Sequence, residues 1–332
     1  MLSKDFLTNV QSLHNDTESG AAQIADKSLS ILKKECLLVG TELNQRILQK
    51  AIQLLLNTHP MASIENSLYP IYVKLTKEIN SKNISEINAI EIIERVFAIQ
   101  KIKMKRRENN TIETLFNFLK KKDSILTFSH SSTINSAFLK LAKNGFCNKE
   151  IYILESRPLR EGERTVQLYS EMGFKNLQFG VDFAVNEFSK LAELALLGAD
   201  TIFPDGRVLN KIGSATIAKL FHSRSKEVVV AASPSKMSLK TLLNQDKSKN
   251  SHPTILHHNS KEVTNIDNQN IDIWNKYFEI IRPDMITSLI MDDSILFSPI
   301  FDSLSVFLQK IEIHELVQDL KITWVEDDPL KE

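Results

Sequence analysis

Five polar segments, each at the end of a strand-like run, carry the side chains of this 332-residue chain that are best suited to chemistry. Phe128-Ser129-His130-Ser131-Ser132-Thr133 follows the apolar run SILT and opens a helical stretch. Its hydroxyls and free amides suit a phosphate, and the same residue types equally suit plain helix capping. Gly198-Ala199-Asp200 ends the run LAELALL, where the carboxylate of Asp200 fits a general acid or base, or a turn aspartate. Asn210-Lys211-Ile212-Gly213-Ser214 combines an amide, an ammonium and a glycine-led helix start, a set that suits an anionic oxygen ligand or leaves a surface lysine beside a cap. Ser233-Pro234-Ser235-Lys236 places a second lysine after the run EVVVAA, as a ligand group or a solvated turn residue. Glu155-Ser156-Arg157-Pro158 offers a guanidinium for a phosphate or carboxylate. In open parallel sheets, ligands bind beyond the carboxyl ends of the strands, so these five segments predict one shared pocket.

The elements that must position them are legible in outline. From Lys4 to about Asn117, apolar residues recur at three- and four-residue steps, as in Ile24, Leu29, Ile31, Leu32 and Leu48, Ile52, Leu55, Leu56, which predicts helices. Pro60, Pro70 and the polar cluster Asn80 to Asn83 predict breaks between them, with a helix from about Ser85 to Arg106. The basic run Lys101 to Arg107 then falls at a helix C-terminus, where cations favour the dipole; without interleaved aromatic residues it makes a poor nucleic-acid patch. After Asp123 the pattern changes to short apolar runs alternating with helical ones: SILTF, INSAFLKLAKNG, IYILE, RTVQLYSEMGF, NLQFGVD, FAVNEFSK, ADTIF, KIGSATIAKLFHS and EVVVAAS. This predicts βαβ units with a parallel sheet, and a domain boundary near residue 120. The polar stretch Gln245 to Asn270 predicts a long surface loop.

Composition narrows the classes further. With 42% hydrophobic and 25% charged residues the chain is not disordered in character, the absence of any stretch of about 18 uninterrupted apolar residues argues against a membrane span, and nine glycines with nine prolines exclude collagen-like repeats. Lysine plus arginine equals aspartate plus glutamate at 41 each, so no global field attracts nucleic acid or an anionic membrane. Cys36 and Cys147 form neither a zinc spacing nor a disulfide framework, and the N-terminal residues show no signal-peptide core, which together predict a reducing, cytoplasmic setting. His257 and His258 are adjacent and cannot face one ion from a regular helix, so no metal is expected. The apolar stretch Leu304 to Leu308, with Ile311 and Ile313, suits core better than interface.

In order, ILTFSHSST, IYILESRP, GVDFAV, GADTI, NKIGSATIA and VVVAASPSK resemble one family: the alpha, beta and delta regulatory subunits of eukaryotic initiation factor 2B, their archaeal relatives, and the ribose-1,5-bisphosphate and methylthioribose-1-phosphate isomerases. The resemblance extends from about Asn15 to Glu326. It implies an α/β protein with an N-terminal helical domain over 1–120, followed by a Rossmann-like parallel-sheet domain over 121–332. The isomerases of this family use a cysteine in the first strand-end loop and the aspartate of Gly-Ala-Asp to move protons between C1 and C2 of an opened sugar phosphate. Asp200 matches that aspartate, whereas Ser129 stands at the cysteine position, and a hydroxyl is a far poorer proton donor than a thiol near neutral pH. The family's Arg-Gly-Ala reads Ser19-Gly20-Ala21, and its Thr-Arg-Pro reads Thr58-His59-Pro60, so two phosphate-binding cations are lost or weakened. Gly20, Ala21, His59, Ser131, Arg157, Asn210, Lys211 and Lys236 are the ligand-binding positions implied, with Asp182 also kept and Asp205 replacing an asparagine before Gly206. The functional expectation is a non-catalytic regulatory subunit that binds a phosphorylated sugar, a nucleotide or a translation-factor partner. It needs no cofactor, contacts no nucleic acid or membrane, and forms a homodimer or larger homo-oligomer. The alternative is an aldose-ketose isomerase with an altered acid.

Overall fold

The computed structural model describes residues 2–16, 20–59, 61–81, 86–243, 259–266, 268, 270–310 and 313–324. Ser19, Pro60, His257, His258, Ile311 and most of the expected loop at 245–270 lie outside them. In chain order the helices and strands are α1 (Lys4–His14), α2 (Ala21–Val39), α3 (Gln45–Leu56), α4 (Ala62–Ser81), α5 (Glu86–Leu119), β1 (Ser124–Thr127), α6 (Ser132–Lys143), β2 (Glu150–Leu154), α7 (Glu161–Glu171), β3 (Asn176–Gly180), α8 (Val185–Leu191), β4 (Leu194–Leu197), β5 (Thr201–Ile202), β6 (Val208–Lys211), α9 (Ser214–Ser223), β7 (Glu227–Ala231), α10 (Leu239–Leu243), β8 (Phe278–Ile281), β9 (Ser288–Met291), β10 (Ser294–Phe297), α11 (Ile300–Lys310) and α12 (Ile313–Thr323). Among the described residues no helix is long and apolar enough to cross a membrane.

The chain divides into two compact units, one of residues 1–105, 237–246 and 306–332, the other of residues 106–236 and 247–305. The division falls inside α5, whereas the boundary expected near residue 120 coincides with that helix's end, and the last helix belongs with the first unit.

In the first unit, α2 packs against α1 and α4, and α4 also receives α3, α10 and α12. Ile24, Leu32, Leu48, Ile52, Leu55, Ile64, Leu68 and Ile71 are fully buried there. Each such side chain contributes about 1.5–3 kcal/mol of burial. Tyr72 Oη and Gln45 Nε2 both donate to the Thr323 carbonyl, at 2.6 and 2.8 Å, and Trp324 meets the edges of Tyr69 and Tyr72, which anchors the end of α12. One expected break and one expected helix end are corrected. Helix α4 runs through Pro70. The carbonyl of Asn66, which a proline four residues later leaves without its helical donor, instead accepts Gln100 Nε2 at 2.9 Å. Helix α5 continues to Leu119 rather than stopping at Arg106, because Thr111, Leu115, Phe116 and Leu119 extend its buried face, so the basic run lies mid-helix. Leu304, Phe307, Leu308 and Ile313 are buried.

The second unit is built on a seven-stranded sheet in the order β10-β9-β7-β4-β1-β2-β3, parallel except for the β9–β10 hairpin. Its core includes Ile125, Phe138, Leu141, Ile151, Ile153, Tyr169, Leu194, Leu196 and Val229, with Phe138 stacked on Tyr169 at 4.4 Å. Strands β1, β2 and β3 run outward in one direction from β1, while β4 and β7 lie on its other side, so the chain order reverses between β1 and β4. Such a reversal opens a crevice at the strand ends. One expectation is corrected here. TIF and the residues before KIGSATIA do not continue the parallel alternation, because β5, β6 and β8 form a separate antiparallel sheet of three strands.

Candidate functional site

The loop after β1 is held in a strained backbone by groups from its neighbours. Ser129 has φ +66° and Ser156, after β2, has φ +64°; each such non-glycine residue costs of order 1–3 kcal/mol, and such positions gather at binding sites. The Ser129 amide donates to Ser156 Oγ at 2.8 Å, and the Ser129 carbonyl accepts Thr165 Oγ1 at 2.9 Å. Ser156 is in turn fixed by Asp182 after β3, whose two carboxylate oxygens accept the Ser156 and Arg157 amides, both at 2.8 Å. Three strand ends are thus tied by hydrogen bonds that no single segment could supply.

Behind this loop lies a polar chain. Tyr169 Oη donates to Asn135 Oδ1 at 3.0 Å, Asn135 Nδ2 lies 3.2 Å from His130 Nε2, and His130 Nδ1 lies 3.0 Å from Thr165 Oγ1. Because the Thr165 hydroxyl donates to the Ser129 carbonyl, it is left as an acceptor toward the ring, which places the proton of neutral His130 on Nδ1, while Asn135 Nδ2 lies almost equally near both ring nitrogens, at 3.3 and 3.2 Å. Burial, aided by the Arg164 charge, holds the imidazole below its ordinary pKa, with Glu161 opposing.

Ser129 Oγ donates to Glu161 Oε2 at 3.3 Å, and the same oxygen stands 2.8 Å from Lys211 Nζ. Lys211 also lies over the Tyr277 ring, 4.9 Å from its centroid. Glu161 reaches this point because α7 begins directly against the end of β2: a Cβ on Gly162 would stand 1.9 Å from the Leu154 carbonyl oxygen, so only glycine fits. A second pair, Lys236 Nζ and Asp200 Oδ1, is 4.0 Å apart. Burial is the largest influence on both members, raising the Asp200 carboxyl above 3.8 and lowering the Lys236 ammonium below 10.5, each more than its partner offsets. Glu161 and Lys211 also act on Asp200, in opposite directions. Such a carboxyl can hold a proton nearer neutral pH and pass it to a bound ligand.

The remaining expected residues are placed as follows. Ser131 caps α6, its Oγ accepting the Ile134 amide at 3.4 Å, so the capping reading describes it. It also faces Gly198 across the β1–β4 crevice, where an added Cβ would stand 3.1 Å from Ser131 Cβ. Asn210 is buried and donates to Ser214 Oγ at 2.9 Å. The Arg157 guanidinium donates to the carbonyls of Pro158, Glu262 and Val263 at 3.1–3.3 Å, and so pins that segment. Asp205 holds the Arg207 amide and guanidinium in the β5–β6 turn.

Gly20, Ala21 and His59 belong to the helical unit. The Gly20 amide donates to Gln23 Oε1 at 3.1 Å, the Ala21 carbonyl accepts Ser63 Oγ at 3.0 Å, and His59 Nε2 donates to the Asp16 carbonyl at 3.0 Å. Burial is the main cause of a lowered His59 pKa, which makes it a weak substitute for an arginine at neutral pH.

Glu161 and Glu262 were not singled out by sequence reasoning, and Ser156 only as a member of the fifth strand-end segment. The Glu-Gly step at the start of α7 is the signal that could have located Glu161, because a glycine at a helix start marks close backbone approach.

Comparison with known proteins adds a second line of observation. Residues 17–296 match the model of the initiation factor 2 subunit family. The chain is 29% identical over 244 residues to ribose 1,5-bisphosphate isomerase of Archaeoglobus fulgidus, an alignment that covers 73% of this chain and 75% of that protein. Its fold is similar to that of translation initiation factor eIF-2B from Pyrococcus horikoshii, with a TM-score of 0.69 and 21% identity over 90% of this chain and 98% of the other. It is also similar to 5-methylthioribose 1-phosphate isomerase from Pyrococcus horikoshii, with a TM-score of 0.71 and 18% identity over 92% and 88%.

Proposed function

Because the chain belongs to the initiation factor 2 subunit family, we propose that it is a non-catalytic regulatory member whose Rossmann-like unit binds a phosphorylated metabolite and which acts on a translation-factor partner. The observation that carries this reading is the hydrogen bond from Ser129 Oγ to Glu161. A proton shuttle between adjacent sugar carbons needs a second group that ionises near neutral pH beside Asp200, and the family resemblance puts a cysteine at that position. Here a hydroxyl stands there, and it donates to a carboxylate already paired with Lys211. Lys236, with the strand-end hydroxyls, supports the binding half of the reading.

The test is calorimetry against ribose 1,5-bisphosphate, ribose 5-phosphate, methylthioribose 1-phosphate and adenosine monophosphate, with NMR of each mixture for product. Binding without conversion is the expected result. Steady aldose-ketose conversion by the unaltered protein would overturn the non-catalytic reading.

A second reading, isomerase activity with an altered acid, is favoured by the raised pKa of Asp200 beside Lys236. It requires that Asp200→Asn abolish conversion of the best substrate. We also infer a homodimer, supported by exposed apolar side chains on the edge strand β3 and in the residues directly after it: Phe179, Val181 and Phe183.

A further inference from the structure

Lys211 and Lys236 are the two lysines that the strand ends bring to the pocket, and they are differently placed toward their counter-ions. The Lys211 ammonium is 2.8 Å from Glu161 Oε2, a hydrogen-bonded ion pair, and its side chain is 4% exposed against 24% for Glu161. Lys236 is 4.0 Å from Asp200 Oδ1, beyond hydrogen-bond distance, with 17% of its side chain exposed. A ligand arriving from solvent therefore meets the Glu161 carboxylate before it can reach Lys211, whereas the Lys236 ammonium keeps hydrogens for a phosphoryl oxygen. Glu161 already offsets the charge of Lys211, so that lysine brings no surplus positive charge for a second phosphoryl group. Carboxylates are acceptors only, and Glu161 beside the Ser129 hydroxyl is matched to the hydroxyl groups of a sugar. Its carboxylate is held by position as well as by charge, because Glu161 opens α7, where the helix dipole favours an anion.

We propose that Glu161 is a built-in anion that occupies Lys211 and so restricts the pocket to ligands with one phosphoryl group, whose uncharged, hydroxylated end lies against Ser129 and Glu161. This rests on the reading of the pocket as a phosphate-ester site and adds the ligand class. Glu161 acts as a specificity determinant, through the charge it places on Lys211.

The experiment is calorimetric titration of the full chain and of Glu161→Gln, Lys211→Met and the double variant with ribose 5-phosphate and ribose 1,5-bisphosphate. The unaltered protein is expected to prefer the monophosphate. Glu161→Gln should gain about tenfold or more in affinity for the bisphosphate, with a change of less than about threefold for the monophosphate, because one repelling charge is gone and Lys211 is released. Lys211→Met should weaken both ligands by leaving Glu161 unpaired, and the double variant should return to within about threefold of the unaltered protein, since both charges leave together. If Glu161→Gln does not fold, as judged by its melting curve, Glu161→Ala carries the same expectation for the bisphosphate. Unchanged or reduced bisphosphate affinity in the Glu161 variant, or a bisphosphate preference in the unaltered protein, overturns the proposal while leaving the phosphate-ester reading intact. Failure of both sugar phosphates to bind any folded form would overturn that reading and this proposal with it.

Discussion

Glu279 Oε1 accepts the Gly213 amide at 2.7 Å and the Ala215 amide at 2.8 Å, so a carboxylate from β8 sits on the N-terminus of α9. The register of the small sheet, which pairs Glu279 with Asn210, delivers it there. Gly213 has no side chain to cap the helix, and Glu279 supplies the anion that the Asn210–Ser214 segment was expected to take from a ligand. Charge-assisted bonds of this kind contribute about 1.5–3 kcal/mol. Glu279→Ala should therefore lower stability by about that amount in urea unfolding, and Glu279→Gln by less. Equal stability of all three proteins would show that the carboxylate does not support the helix.

Asp182 predicts a different outcome, because both its oxygens are engaged by the backbone of the Ser156–Arg157 turn. Asp182→Ala leaves two amides without their acceptor and frees a residue held at φ +64°. A loss of about 2–3 kcal/mol in chemical unfolding is expected, together with weakened sugar-phosphate binding, because Ser156 Oγ also holds the Ser129 amide. Retention of full ligand affinity in a folded Asp182→Ala protein would separate the turn from the pocket.

How far the fold and the site could be read from the sequence follows from which interactions are local. The strand-helix alternation from Ser124 to Leu191 is written in side-chain periodicity, and the structure follows it element by element. Helix α4 passing through Pro70 is not so written, because the group that takes over the orphaned Asn66 carbonyl is Gln100, on another helix. The hairpin of β5 and β6 was hidden for a similar reason: its strands are short, and its third strand, β8, is distant in sequence. At the site, Ser129, Asp200, Lys211 and Lys236 were legible as strand-end polar residues, but their pairing was not. Glu161 looks like an ordinary acidic residue in the first turn of a helix, and only tertiary geometry sets it between Ser129 and Lys211. The Arg157 guanidinium likewise meets carbonyls about a hundred positions away, which no spacing rule anticipates.

Two imidazoles that the fold partly withdraws from water predict an acid-sensitive fold. His59 and His130 both have pKa values lowered from 6.5, chiefly by burial. A group whose folded pKa lies below its unfolded one binds more protons when unfolded, so stability rises with pH across that window and is lost as pH falls below about 6.5. Protonation of His130 also sets a ring N–H against the Asn135 amide donor. The urea midpoint should drop between about pH 7 and pH 5, and the drop should be smaller in a His59→Gln, His130→Gln double variant. An identical pH slope in that variant would assign the acid sensitivity to other groups.

Phe183 is 94% exposed in the turn that follows β3, and Val181 at 59% and Leu191 at 56% are exposed in the same part of the chain. Strand β3 is the last strand of the seven-stranded sheet, with its outer edge unpaired within that sheet. An exposed edge bearing large apolar side chains favours association, and a phenylalanine left wholly in water contributes nothing to the fold of an isolated chain. If a second copy of the chain covers this edge, Phe183→Asp should shift sedimentation from dimer to monomer, because burying a carboxylate without a partner costs several kcal/mol. Its melting temperature at low protein concentration should stay within about 2 °C of the unaltered protein, since a surface substitution of this kind changes monomer stability little. A dimer that persists unchanged in Phe183→Asp would place the interface elsewhere, and a protein that is monomeric before substitution would remove the homodimer itself.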